Sequence, residues 1–338
     1  MTPRLRVLAD DLTGALDTAA RFVPLVGPVP VGWSSAGMQA ARVPAAALDT
    51  GTRDLGPDAA RVAMTRAASF FDGADIAFKK IDSLLRGHVA VELAACLPGF
   101  DHCILAPAFP FQNRVTRGGR QLVREPGGWR DTGVSLLGID PRVRVYDAAS
   151  DGDLAAAVAA GRTLPGRVLW CGTGGLAGAL AGGAPVPRPA LPRPILALIG
   201  SDQPVSAAQV ASAVAFHHGL PDEMDAVIAK LQAGRSAAVT VALPGGTSRV
   251  QARRAITTAF HQVLTRAGPL GTLFVSGGET LRFLCGRLGV TRLEVDGEIE
   301  PGVPTSIARG GAWDGQRVVS KSGAFGDTLF LSRLLTGG

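Results

Sequence analysis

Several residues of chemical interest follow short apolar runs. Asp10-Asp11-Leu12-Thr13-Gly14 comes directly after Leu5 to Ala9, and Asp17 stands about one helical turn beyond Thr13. Lys80, Asp82 and Arg86 follow Ile76-Ala77-Phe78 in the stretch KKIDSLLRG. Ser276-Gly277-Gly278-Glu279-Thr280 ends the apolar run from Gly271, and Lys321-Ser322-Gly323 ends Val318-Val319. Each type has a use. A carboxylate can orient or deprotonate a hydroxyl. Arginine grips a carboxylate with two parallel hydrogen bonds. A glycine turn feeding a helix offers backbone N–H groups and a favourable dipole to phosphate oxygens, and glycine lets that backbone come close. Together they suggest an anionic small molecule in the first half and a nucleotide phosphate in the second. Structural roles compete with these. Asp11 or Thr13 can simply cap the helix that follows, and Lys80, Asp82 and Arg86 can pair among themselves. The turn Gly172-Thr173-Gly174-Gly175 reads as plain turn chemistry.

The elements that must position these residues alternate along the chain. Strand, strand-end turn and helix recur from Leu5 onward, the pattern of α/β units whose ligands bind beyond the carboxyl ends of parallel strands. Further strands are expected at Pro28 to Trp33, Ala45 to Leu48, Cys103 to Leu105, Arg142 to Tyr146, Val168 to Cys171, Ile195 to Ile199 and Ala237 to Leu243. Gln112 to Gly133, rich in Arg and Gly, reads as a long loop over the site. Five prolines within Gly183 to Pro194 mark a stiff linker. The expected division is 1–184 for an N-terminal domain, 185–194 for the linker and 195–338 for a C-terminal domain.

Composition narrows the classes. At 338 residues with 46% hydrophobic and 18% charged, the chain can build sizeable cores and is not a disordered one. The net charge of +6 comes from scattered arginines without a basic run, which argues against nucleic acid as a partner. No run of about 18 apolar residues predicts a membrane span. The cysteines at 96, 103, 171 and 285 form no CxxC pair and read as reduced core residues of a cytoplasmic protein. The adjacent His217 and His218 read as an exposed helix end.

Six ordered motifs carry a resemblance. ADDLTGALDTA, KKIDSLLRGHVAVEL, APAFPFQNR, GSDQPVS, SGGETLRFL and GEIEPGVP followed by KSGAFGD together resemble the four-carbon acid sugar kinases, which include D-threonate, D-erythronate and 3-oxo-tetronate kinases. The resemblance runs from residue 9 to residue 327. It implies two α/β domains with mainly parallel sheets and a cleft between them. It also implies ATP-dependent phosphorylation of the terminal hydroxyl of a C4 sugar acid. By motif, Ser201, Ser276, Gly278, Glu279, Thr280, Leu281, Lys321 and Gly323 would hold ATP. Asp10, Asp11, Asp17, Lys80, Asp82 and Arg86 would hold the acid. Mg²⁺ is expected, with Glu279 as a ligand. Asp11 is the first choice for the catalytic carboxylate and Asp327 the second. The partners implied are the sugar acid and ATP, with no nucleic acid, no membrane and room for a homodimer.

Two departures stand against the family pattern. The turn after the linker is usually closer to GSCSP, whereas here Asp202 and Gln203 follow Ser201. The chain is also abbreviated after Pro110 and around His218 to Asp225, which leaves the substrate open. The alternative reading is a non-catalytic kinase-like binder of small molecules. An NAD-dependent dehydrogenase is disfavoured, since no GxGxxG follows the first strand.

Overall fold

The computed structural model describes residues 2–34 and 43–337. The chain forms two compact units, Met1–Pro187 with Val295–Gly297, and Arg188–Glu294 with Glu298–Gly338.

The first unit contains β1 (Leu5–Ala9), α1 (Leu12–Val26), β2 (Val29–Gly32), β3 (Ala45–Asp49), α2 (Pro57–Ala67), β4 (Ile76–Lys80), α3 (Val89–Cys96) and β5 (His102–Ala106). It continues with β6 (Arg114–Arg117), β7 (Arg120–Glu125), β8 (Gly128–Ser135), β9 (Val143–Val145), α4 (Asp151–Arg162), β10 (Val168–Gly172) and α5 (Gly174–Leu180). Its main sheet runs β2-β3-β1-β4-β10-β5-β9, all parallel. β1 is buried at every position, as a parallel strand covered on both faces must be. α1 shows why the cover forms. Leu12, Ala15, Leu16, Ala19, Ala20 and Val23 recur at helical spacing and are all buried. Phe22 meets Phe78 of β4 edge to face at 5.6 Å, and burial of one such side chain is worth about 1.5–3 kcal/mol. α2 and α3 pack against each other over a separate cluster that includes Leu8, Leu48, Met64, Phe71 and Leu93. All four cysteines are buried and free, as their apolar settings predict.

The second unit contains β11 (Ile195–Ile199), α6 (Pro204–Ser212), β12 (His217–Leu220), α7 (Met224–Gln232), β13 (Ala237–Val241) and α8 (Arg249–Ala267). β14 (Thr272–Ser276), α9 (Gly278–Arg287), β15 (Arg292–Glu300), β16 (Val303–Arg309), β17 (Arg317–Lys321) and α10 (Phe330–Thr336) complete it. Strand order is β12-β13-β11-β14-β17-β16, parallel except for the β16–β17 pair.

Three expectations need correction. Gln112 to Gly133 is not a loop, because β6, β7 and β8 pair as a three-stranded antiparallel sheet. Its positive-φ glycines at 118, 119 and 128 make the tight turns that a loop reading mistook for irregularity. His217 and His218 open β12 directly after a short 3-10 turn and are half-buried, not exposed, and His217 Nε2 meets Thr240 Oγ1 at 2.8 Å. The KSG turn does not feed a helix directly, since α10 begins only at Phe330. The GSDQP turn does, with Pro204 as the first residue of α6.

Candidate functional site

In the first unit the chain order reverses beside β1. It passes to β2 at the edge, steps back to β3 beside β1, then crosses to place β4 on the other side. A reversal of this kind opens a crevice beyond the strand ends. Asp10 and Asp11 leave β1 there, and Lys80 and Asp82 leave β4.

Arg53 organises these acids. Its Nε and Nη2 grip Asp10 at 2.8 Å each, Nη2 reaches Asp11 Oδ1 at 2.8 Å, and Nη1 lies 3.8 Å from Asp82. The loop carrying it is tied to β1. The Thr50 N–H and hydroxyl both donate to the Ala9 carbonyl, at 2.9 and 2.8 Å, and the Arg53 N–H donates to the Asp10 carbonyl at 3.2 Å. Burial alone would raise the Asp10 carboxyl, but the charge of Arg53, helped by Lys79 and Lys80, holds it below the usual carboxylate range. Asp82 is likewise buried and likewise held low, by hydrogen bonds from Arg86 and the charge of Arg53.

Asp11 caps α1, accepting the Gly14 N–H at 3.0 Å and the Thr13 hydroxyl at 2.5 Å. Capping and site position coincide here, because the strand-end turn is also the helix start. Gly14, in the first turn of α1, leaves room for both side chains. A Cβ there would lie 2.5 Å from Asp11 Oδ1 and 2.9 Å from Lys80 Nζ. Lys80 is 4% exposed, its Nζ stands 3.9 Å from Asp17 Oδ2, and it has no hydrogen-bond partner among the described residues. The neighbouring Lys79 faces the other side of the sheet, as alternation along a strand requires. It pairs with buried Glu92 of α3 at 2.7 Å, and Glu92 accepts the Thr52 hydroxyl at 2.6 Å. Arg86 binds Asp82 through Nε at 2.7 Å and Nη2 at 2.9 Å, which realises the internal ion pair that the spacing allowed. Its Nη1 has no hydrogen-bond partner among the described residues, and the side chain is 59% exposed.

The hairpin of β6 and β7 latches onto the same loops. Gln121 Nε2 donates to the carbonyls of Ser83 and Pro107 at 3.0 Å each, Thr116 donates to Gln121 at 2.8 Å, and Arg114 donates to the Ser83 hydroxyl. Arg114 and Gln121 are buried. Sequence reading missed Arg53, Ser83, Arg114 and Gln121. Arg53 carried a usable signal, since it stands in a strand-end loop, DTGTRD, of the kind that drew attention to Lys80 and Arg86.

In the second unit the reversal falls between β11 and β14. Ile199, Ser276 and Lys321 lie in one row across β11, β14 and β17, so the three strand-end turns sit side by side. They touch closely. A Cβ on Gly200 would strike Thr280 Oγ1, and one on Gly323 would strike Ser201 Oγ. Gly277 has φ 115°, a conformation that favours glycine, and its N–H donates to the Lys321 carbonyl at 3.0 Å. The N–H groups of Gly278, Glu279 and Thr280 open α9 without partners among the described residues, as the first turn of a helix must. The Ser276 hydroxyl is buried and also has no partner. These donors, and a cradle that side chains would fill, fit phosphate oxygens. Leu281 is buried beneath the turn, and Asp202 is exposed.

The remaining candidates are dispersed. Glu279 is half exposed and lies 3.6 Å from Arg253. Among the described residues no three His, Cys, Asp or Glu side chains gather as a metal site. Asp327 is bound by both Nη atoms of Arg333, at 2.9 and 3.0 Å, and accepts the Leu329 N–H at 2.9 Å. Among the described residues no helix is long and apolar enough to cross a membrane.

Comparison with known proteins agrees with this division. Residues 5–135 match the family model of a sugar-binding N-terminal domain, and 223–331 match that of a nucleotide-binding C-terminal domain. A D-threonate kinase of Cupriavidus necator is 31% identical, with 96% of this chain and 95% of that protein covered. The chain belongs to the four-carbon acid sugar kinase family. A second D-threonate kinase, from Bordetella bronchiseptica, is 27% identical to this kinase over 98% of the chain and 96% of its own length. A solved protein of Salmonella typhimurium LT2 shares the fold at TM-score 0.74 and 20% identity, with 98% of both chains covered. One from Haemophilus influenzae does so at TM-score 0.68 and 20% identity, covering 97% and 98%. Kinase chemistry on a sugar acid is therefore the activity of the family to which the chain belongs.

Proposed function

We propose that this protein is an ATP-dependent kinase that phosphorylates the terminal hydroxyl of a four-carbon sugar acid of the threonate, erythronate or 3-oxo-tetronate type. One observation carries the reading. The same chain holds a buried acid–arginine–lysine cluster at the strand reversal of one unit and a cradle of unpaired N–H groups at that of the other.

In this reading Lys80 and the outer Nη1 of Arg86 hold the substrate carboxylate. Lys80 is suited to it, because a buried ammonium without hydrogen bonds gains most from an anionic partner. Asp10, Asp17 and Asp82 fix the cations, and Arg53 ties Asp10 and Asp82 to Asp11. Asp11 orients the acceptor hydroxyl. Ser201, Ser276, Gly323 and the first turn of α9 from Gly278 to Leu281 hold the nucleotide phosphates, with Lys321 behind them. Mg²⁺ carried on the nucleotide neutralises charge during transfer, and Glu279 is its nearest protein carboxylate in this proposal. Phosphoryl transfer asks for positioning and charge neutralisation more than covalent help, which matches a site with no activated nucleophile of its own.

Asp11 and Asp327 compete for the catalytic role. Asp327 is spent on Arg333 and on the approach to α10, whereas Asp11 stands among the acid-binding residues. Asp11→Asn keeps the cap and removes the charge. Its kcat should fall by about 10²–10⁴ with nucleotide affinity retained, while Asp327→Asn should keep near-normal kcat. Steady-state kinetics of the two variants, with ATP-analogue binding measured in parallel, check this. The reverse pattern would assign the role to Asp327.

A further inference from the structure

The pattern KSG invites a lysine that touches phosphate, yet the Lys321 ammonium lies inside its unit. The residue is 1% exposed. Nζ faces the carbonyl oxygens of Ser322 and Gly323 at 3.3 and 3.4 Å, and the Phe330 ring centre at 6.0 Å. Ser206 of α6 donates to the same Gly323 carbonyl at 3.0 Å. Two consecutive carbonyls are thus turned inward. Because a trans peptide sets its N–H opposite its carbonyl, the next two N–H groups, those of Gly323 and Ala324, are turned the other way. Neither has a hydrogen-bond partner among the described residues, although Gly323 is buried. Successive unpaired N–H groups of this kind form an anion-binding nest. The nest lies against Ser201, whose hydroxyl occupies the place of a Gly323 side chain.

We infer that Lys321 is a positioning residue: its ammonium holds the Ser322 and Gly323 carbonyls inward and so presents the Gly323 and Ala324 N–H groups to the nucleotide phosphates. This rests on the nucleotide-binding role proposed above for the unit. The lysine also contributes its charge through one peptide layer, without contact. That charge is conditional. Burial pushes the ammonium down to about 8, against the opposing pull of Glu300. The groups facing it are few. β15 supplies Glu300, with Arg333 of α10 at 3.8 Å and Asp327 behind it. α6 supplies the uncharged Ser206, and α10 the Phe330 ring. Below about pH 8 the lysine is a cation and the nest is both oriented and electropositive. Above it the proton leaves, and a bound phosphate loses its attraction.

The test is calorimetric titration of a non-hydrolysable ATP analogue with Mg²⁺ into the full chain, between about pH 7 and about pH 9.5, where a lysine of ordinary pKa stays charged over most of the range. Wild-type affinity should fall by about 10-fold or more across that range. Lys321→Met should bind at least about 10-fold more weakly at pH 7, with no further fall as pH rises. The thermal midpoint of the nucleotide-free variant at pH 7 should not drop, since the substitution removes a desolvated charge that Glu300 attracts only from beyond ion-pair distance. A flat wild-type profile, or wild-type affinity in Lys321→Met, overturns the inference. The wild-type profile decides alone if the variant does not fold. No binding by wild type at pH 7 overturns the nucleotide reading and this inference together.

Discussion

Arg53 is the residue on which the acid-binding edge depends most. It bridges Asp10 and Asp11 at 2.8 Å and approaches Asp82 at 3.8 Å, and its side chain is only 13% exposed. Removing it strands carboxylates that burial alone would protonate. Arg53→Ala should destabilise the protein by about 3–5 kcal/mol, the usual consequence of breaking a buried pair, and urea unfolding will measure it. The same network fixes a pH dependence. Asp10 and Asp82 are held below the ordinary carboxylate value in the folded chain. Their contribution to stability is therefore complete above about pH 4 and is lost as pH falls through their lowered values. Wild-type stability should decline on acidification below about pH 4, and that decline should be shallower in Arg53→Ala. Of this cluster, Asp10, Asp11, Lys80, Asp82 and Arg86 were legible as charges at or just beyond strand ends, and Asp17 as an acid one helical turn further on. Arg53 was not found, because the strand at Ala45 was read only for its apolar core and not for the loop beyond it.

Elements explain what single residues cannot. The apolar runs predicted the main parallel strands because a strand covered on both faces must be apolar throughout. The β6–β8 sheet escaped because β7 and β8 bury almost no position and the segment is rich in Arg and Gly, so alternation is weak and the glycines look like loop. Its function as a latch through Arg114 and Gln121 was correspondingly hidden. In the second unit the glycines of the SGG and KSG turns were visible, but their reason was not. Their spacing suggests helix starts, whereas the KSG turn serves by pressing against the GSD turn at the end of β11, two strands away. Gly323→Ala tests that contact. A methyl group would collide with Ser201, so the two turns must part. Losing part of a hydrogen-bonded phosphate grip costs about 1.5–3 kcal/mol, or roughly 10- to 150-fold in nucleotide affinity. Circular dichroism and thermal melting should show the fold retained, since the substitution lies in a turn and not in the core.

At the scale of the molecule, the alternation of strand, turn and helix accounts for two α/β units, each with its charged or glycine-rich residues at a reversal of strand order. Topology, which the sequence pattern does not reveal, turns separate strand ends into sites. Asp10 lies 43 residues from Arg53, and Ser206 lies 117 from Gly323, yet each pair is in hydrogen-bond contact. The two matched domain families carry sugar binding and nucleotide binding on separate stretches of one chain, which is the division that a kinase for a small acid requires. Substrate choice is the part least visible in the motifs, because it depends on the positions of the acid's hydroxyl groups. The most direct test is ADP formation from ATP and Mg²⁺ with a panel of D- and L-threonate, D- and L-erythronate and 3-oxo-tetronate acids, with the product's phosphate located by NMR. ADP should be released with at least one of these acids, with a phosphate on its terminal hydroxyl and no turnover of the corresponding uncharged sugar alcohol. Binding of acid and ATP without any ADP release across the panel would contradict it.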